Sequence, residues 1–173
     1  MTFNDYVKAT RATWRDDDPE RLQVAHAAMG LAGELGELRR EQHFGASSIA
    51  DELGDMCYYH ARLCDLCVTE SMASAFSYPD TLKGYNRGAF ERAVLSIVEL
   101  TKKRTFHFHS EEVQEDMELR LKQLAEMLAW WCDRMSRDCT IEDIRRENIE
   151  KLRDRYPDGF ETGGGVREEP THD

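Results

Sequence analysis

Apolar residues recur every three to four positions along most of this chain, which is the spacing of helices that bury one face. The pattern predicts helices at about 2–14, 20–44, 49–72, 87–106, 110–136 and 140–155. No stretch alternates apolar and polar residues for long enough to favour a sheet. The sequence therefore predicts an all-α fold, a bundle with a core of four long helices and shorter flanking helices.

The connections indicate how the helices are paired. Gly45-Ala46-Ser47 is a tight connection, so the helices on either side of it should be antiparallel neighbours. Residues 74–86 hold Tyr78-Pro79-Asp80 and Gly84, and are interpreted as a crossing loop. We expect one domain over residues 1–160, followed by a disordered tail at 161–173 with three consecutive glycines and mixed charge.

Charge and composition restrict the classes of partner. The chain has 34 acidic and 23 basic residues, a formal net charge of -11, which argues against general nucleic-acid binding. No window approaches the ~18 apolar residues of a membrane span, and the N-terminus lacks the pattern of a secretory signal. The five cysteines are an odd number in a chain without an export signal, so we expect a reduced, cytoplasmic protein.

Acidic pairs stand at matching positions on the second and third helices. Glu34 and Glu37 lie one turn apart at the border of an apolar stripe, and Glu52 and Asp55 lie one turn apart on the next helix. Each pair is about nine residues from the turn, or roughly 13 Å at the rise of an α-helix. An antiparallel hairpin should therefore bring the four carboxylates to a similar depth.

Four converging carboxylates need a counter-charge. Glu52 falls inside the apolar face of its helix, and burying a carboxylate without a partner costs several kcal/mol. Ligands that are all oxygen favour Mg²⁺ or Mn²⁺ over zinc. The alternative is that these are ordinary solvated acids of a strongly acidic chain, but two facing pairs are less expected by chance than one.

Three blocks resemble the all-α nucleoside triphosphate pyrophosphohydrolases, the MazG-like enzymes and their relatives the dimeric dUTPases. The first block runs from Gly30 through Glu34 to Glu37-Leu38, and the second is Asp51-Glu52-Leu-Gly-Asp55. The third, from Asn148 through Lys151 to Arg155-Tyr156-Pro157, is similar to the C-terminal segment common in MazG-like proteins. The match covers roughly residues 22–160, and the order of the blocks makes it specific.

The resemblance implies a Mg²⁺-dependent enzyme, with Mn²⁺ as a substitute, that cleaves a nucleoside triphosphate into a monophosphate and pyrophosphate. It implies Mg²⁺ ligands at Glu34, Glu37, Glu52 and Asp55. Glu37 and Glu52 are the catalytic candidates, and which glutamate activates water stays open.

The same resemblance implies that Asn148 and Lys151 contact the substrate, with Arg155 as a less certain third. From the residues alone, a solvated helix face is the favoured interpretation of Lys151 and Arg155, because Glu147 and Lys151 are spaced for an i, i+4 pair. Lys102, in a basic run with Lys103 and Arg104, is a further candidate for the substrate phosphates, or else part of the positive end of its helix.

The second half of the chain looks like a copy of the first. Glu37-Leu38 aligns with Glu99-Leu100, and the aligned positions for the other three acids are Ser96, Leu124 and Met127. If this is a duplication, the second hairpin has lost its metal site and each chain has one active site. Simple MazG-like chains carry one hairpin and complete the bundle with a second subunit, so a homodimer stays open.

Two other interpretations are kept. One is dUTPase-like specificity within the same chemistry. The other is a catalytically silent helical protein that binds a nucleotide or a partner, which the intact acids at all four positions disfavour. The sequence does not identify the base, the sugar or the physiological role.

Overall fold

The computed structural model describes residues 1–14, 17–44, 49–68, 85–107, 110–135 and 139–157. Over these ranges the chain forms six helices, listed here in chain order: α1 (Phe3–Arg11), α2 (Glu20–Phe44), α3 (Ile49–Cys67), α4 (Arg87–Phe106), α5 (Glu111–Met135) and α6 (Ile141–Arg155). No strand occurs among the described residues. The predicted all-α class is confirmed.

Local sequence signals account for the helix ends. Thr140 and Asp143 form a capping box at the start of α6, as their spacing indicates. The Asn86 side chain accepts the amide of Ala89 and caps α4. Helix α3 ends at Cys67, five residues before its predicted end. The predicted crossing loop lies mostly outside the described residues, and the tight turn after α2 and the tail at 161–173 lie wholly outside them.

The four long helices form the predicted bundle. Helices α2 and α3 pack against each other as one hairpin, and α4 and α5 pack as a second. The hairpins lie side by side, with α2 against α4 and α3 against α5. Leu31, Leu53, Leu121 and Leu128 are fully buried where the helices meet. Each such side chain contributes about 1.5–3 kcal/mol through burial of its apolar surface.

The two shorter helices flank the first hairpin. Helices α1 and α6 both pack against α3 and touch each other. Phe3, Tyr6 and Ile144 are their buried contacts with the core. This packing carries residues from both ends of the chain to the first two turns of α3, where Glu52 and Asp55 lie.

Two ion pairs give the relative direction of α2 and α4. Arg39 pairs with Glu91 at 3.1 Å, and Arg104 pairs with Glu20 at 2.8 Å. The helices are therefore antiparallel, with the start of α2 beside the end of α4. Among the described residues no helix combines the length and the apolar character that a membrane span requires.

Candidate metal centre

Three carboxylates converge on the outer side of the α2–α3 hairpin. Glu34, Glu37 and Glu52 each present an oxygen atom, and these oxygens lie within 4.8 Å of one another. All three side chains are partly buried. We call these three residues the acidic cluster; it joins one pair of acids from α2 to one acid from α3.

A glycine on α2 lets the two helices pack closely beside this cluster. A Cβ atom on Gly30 would lie 2.3 Å from Cε1 of Tyr59, so the tyrosine ring rests directly on the α2 backbone. The ring covers the helix one turn before Glu34. Burial, and secondarily the negative charge of Glu34, raises the pKa of Tyr59 to about 12, so the ring stays neutral near neutral pH.

The acidic cluster is electrostatically strained. Burial, followed by the negative charges of Asp55 and Glu37, raises the pKa of Glu34 to about 8. Burial also raises the pKa of Glu52, with Glu37 and Asp55 adding to the rise. A hydrogen bond with Glu52 also raises the pKa of Glu34, so the arrangement favours a proton on Glu34. A cation bound among the three carboxylates would replace that proton.

Glu41 adds a third carboxylate from α2, the fourth at this site. It lies one turn beyond Glu37, and its negative charge contributes to the raised pKa of Glu52. Its Oε2 atom is buried and has no hydrogen-bond partner among the described residues. An orphaned carboxylate oxygen beside three converging carboxylates fits a hard divalent cation, because Mg²⁺ and Mn²⁺ prefer oxygen ligands. The residues present therefore fit the expected metal.

Asp55 lies beside the acidic cluster but its carboxylate turns toward α6. The Lys151 ammonium lies 2.8 Å from both Asp55 oxygens, and Nδ2 of Asn148 donates to Oδ1 at 2.7 Å. Asp55 is thus the link between the acids and the C-terminal helix. Its charge still reaches Glu34 and Glu52, whose pKa values it helps to raise.

Asn148 is held from three sides. The Tyr6 hydroxyl donates to Oδ1 of Asn148 at 2.8 Å, while the amide group donates to Asp55. A Cβ on Gly54 would lie 3.2 Å from the Asn148 Cβ, so the glycine lets α6 approach α3 closely at this point. Asn148 is 3% exposed. Its position is therefore set by α1, α3 and α6 together.

The other two expected substrate contacts lie farther away. Arg155 is exposed and stands one turn beyond Lys151 on α6. Lys102 is exposed and pairs with Glu99 at 3.7 Å. Because Arg104 pairs with Glu20, Lys102 lies near the start of α2, whereas Glu34 is fourteen residues on, or about 21 Å along the helix. Within one chain the structure does not bring Lys102 to the acidic cluster.

Sequence reasoning missed four residues at this site: Glu41, Tyr6, Gly54 and Tyr59. Glu41 had a signal, because it follows Glu34 and Glu37 at helical spacing on the same side of α2. Gly54 stands between Glu52 and Asp55 in mid-helix, where glycine is costly without a packing reason. Tyr6 had no signal, since its partner Asn148 is 142 residues away.

No family model, curated protein or solved structure matches this chain.

Proposed function

We propose that the protein is a Mg²⁺-dependent nucleoside triphosphate pyrophosphohydrolase, which cleaves between the α and β phosphates to give a monophosphate and pyrophosphate. The observation that carries the proposal is the convergence of Glu34, Glu37 and Glu52 within 4.8 Å. The resemblance of the three sequence blocks to MazG-like enzymes supplies the reaction.

The strain in the acidic cluster supports a cation there. A carboxyl group whose pKa is about 8 is far from its ordinary value, and the charges of Asp55 and Glu37 contribute to that shift. Structural acids on a helix surface gain nothing from such an arrangement, since like charges at helical spacing repel. A divalent ion bound among the carboxylates would relieve this repulsion, and perturbed pKa values of this kind are typical of functional sites.

Each carboxylate of the site has a role in the proposed reaction. Glu34, Glu37 and Glu52 would hold the ion, with Glu41 near enough to assist. When bound, Mg²⁺ would supply charge neutralisation for the triphosphate and acidify a coordinated water. Glu37 is the best placed to take the water proton, because its side chain is 43% exposed and faces solvent as well as the cluster.

The C-terminal helix would face the substrate. Lys151 is 26% exposed and donates to both oxygens of Asp55, and Asp51 lies 3.8 Å from its ammonium group. The ammonium has three N–H donors, so one would turn to a phosphate oxygen. The side-chain oxygen of Asn148 accepts from Tyr6, and one of its two amide N–H groups donates to Asp55, which leaves the second N–H. Asp55 would position both groups as well as contribute negative charge to the metal.

The decisive experiment measures products from a panel of ribo- and deoxyribonucleoside triphosphates. The purified protein with Mg²⁺ should release pyrophosphate and the monophosphate, and EDTA should stop the release. Glu52→Gln should reduce turnover at least a hundredfold, whereas Glu99→Gln, an exposed glutamate of the second hairpin, should retain it. Strong preference for dUTP would assign dUTPase-like specificity.

Two outcomes would count against the proposal. Orthophosphate and a nucleoside diphosphate as primary products would reject cleavage at the α phosphorus. Absence of turnover across the panel, with metal binding intact, would favour the silent nucleotide- or partner-binding protein instead.

A further inference from the structure

A second concave site lies on the opposite hairpin, between α4 and α5. Two adjoining cavities of about 400 and 350 Å³ share the residues Arg92, Ser96 and Arg120 and so form one groove. Lys103 lines one end, and Gln123 and Met127 line the other. We call this surface, lined by these six residues, the basic groove.

The cations of the basic groove form no ion pair among the described residues. Among the described residues, neither Arg92 nor Lys103 forms an ion pair, and Arg120 donates to the neutral amide of Gln123 at 2.9 Å. Arg87 and Arg39, for comparison, share Glu91, which lies just beside the groove on α4.

In the alignment that the possible duplication suggests, the groove falls at the positions of the acidic cluster. The alignment of the two hairpins matches Ser96 with Glu34 and Met127 with Asp55, and both line the groove. It also matches Lys103 with Glu41, Gln123 with Asp51, and Arg92 with Gly30. The second hairpin has therefore not merely lost acids. At the equivalent surface it has gained basic side chains, so the sign of the local charge is reversed.

The three cations of the basic groove are spread along its length. Arg104 hydrogen-bonds Gln114 across the hairpin, so Arg120 lies level with about residue 98 of α4. Arg92 and Lys103 then lie about 9 and 8 Å to either side along the helix axis. Both arginines line both cavities, which means that their side chains border the same space.

The chemistry of the lining favours a phosphate group. Guanidinium groups bind phosphate through paired charge-assisted hydrogen bonds, and the Ser96 hydroxyl and Gln123 amide can add neutral ones. Glu99 and Asp116 also line the cavity beside Lys103, so a phosphate is expected between Arg92 and Arg120, away from the two carboxylates.

We propose that the basic groove is a metal-independent binding site for a small polyphosphate anion, of the inorganic triphosphate or nucleotide kind. The site is separate from the acidic cluster, and it does not depend on the proposed hydrolysis. A nucleotide bound there would sit on the second hairpin, on helices that pack directly against both helices of the first.

The test is calorimetric titration of inorganic triphosphate in EDTA, where a metal-dependent site does not bind it. The wild-type protein should bind saturably at one site, and the affinity should fall as salt rises. Arg92→Gln and Arg120→Gln should each weaken binding at least tenfold, because each removes a charge-assisted pair. Lys122→Gln, on α5 but outside the groove, is the charge-matched control and should bind like wild type.

Several results would overturn the proposal. These are no saturable binding, equal weakening in Arg120→Gln and Lys122→Gln, or unchanged affinity in both arginine variants. Citrate binding as tightly as triphosphate would reject the phosphate specificity. Arg92 is exposed and Arg120 partly so, and neither pairs with a carboxylate, so both variants should fold; their helical circular dichroism checks this. Because EDTA is present throughout, failure here leaves the metal-dependent reaction untouched, and the reverse also holds.

Discussion

Replacing Glu34 with glutamine should make the metal-free protein more stable at alkaline pH. The folded protein holds a proton on Glu34 with a pKa of about 8, against an ordinary value of 4.5. The contribution of Glu34 to the free energy of unfolding is therefore fully present below pH 4.5, where the group is protonated in both states. It is lost as pH rises from 4.5 toward 8, because the unfolded chain then releases the proton that the folded protein keeps. Glutamine mimics the protonated group at every pH. The advantage of the variant should thus be near zero at pH 4.5 and largest above pH 8.

The structure gives a scale for the effect. A rise in the pKa from 4.5 to about 8 corresponds to at most about 5 kcal/mol at 1.36 kcal/mol per unit. Glu34 is only partly buried, so water screens much of the repulsion and about 2 kcal/mol is the realistic gain. In a chain of 173 residues this raises the melting temperature by about 4–8 °C.

The assay is thermal unfolding followed by circular dichroism in EDTA, at about pH 4.5 and pH 8.5, and again at pH 8.5 with Mg²⁺. Metal should stabilise the wild-type protein and should stabilise Glu34→Gln much less, since the variant lacks one of three oxygen ligands. Glu99→Gln is the matched control. Glu99 is 56% exposed and pairs with Lys102, so its loss should change stability by no more than about 0.5 kcal/mol.

A variant that is no more stable than wild type at pH 8.5 without metal would refute the reasoning. So would a gain of the same size at both pH values, because a pH-independent gain would come from packing or helix propensity and not from charge repulsion. An equal response to Mg²⁺ in the two proteins would remove Glu34 from the metal site.

Three further predictions use matched variants. Glu37→Gln should lose at least a hundredfold of the pyrophosphate release that Glu99→Gln retains; equal losses would contradict a single acidic site per chain. Gly30→Ala should destabilise the fold by about 1–3 kcal/mol, because a Cβ at this position would lie 2.3 Å from the ring of Tyr59. Gly33→Ala is the control: its Cβ would meet open space, so the variant should gain up to about 1 kcal/mol. Chemical denaturation of both variants measures the difference. Burial lowers the pKa of His60 to about 4, against an ordinary value of 6.5. The free energy of unfolding of the wild-type protein should therefore fall by up to about 3 kcal/mol as pH drops from 6.5 to 4. In His60→Gln the free energy of unfolding should change much less over the same pH range.

The helices and their pairing could be predicted because both depend on local information. Apolar spacing and caps predicted the starts of α2, α3, α4 and α6, and helix length with a short turn predicted the antiparallel α2–α3 pair. The end of α3 was wrong by five residues, where the apolar pattern continues past Cys67. Periodicity reports which residues can face a core, but it does not mark the point at which the core ends.

The acidic cluster was predictable for the same reason. Glu34 and Glu37 share a helix face by their spacing, and Glu52 reaches them through the geometry of one hairpin. These relations involve neighbours in sequence or one turn between helices. The basic groove was not predicted, because its cations are spread over two helices and form one surface only when α4 packs against α5.

Sequence alone determined the helical class, the α2–α3 hairpin and the convergence of three acids, all of which follow from helical periodicity and the rise per residue. Tertiary structure alone decided the direction of the Asp55 carboxylate. That choice depends on Lys151 and Asn148, 93 to 96 residues away, and on Tyr6 holding Asn148 from the other end of the chain. A carboxylate turns toward the nearest cation and donor, and which groups are nearest is set by how α1 and α6 pack on α3, which no local pattern encodes.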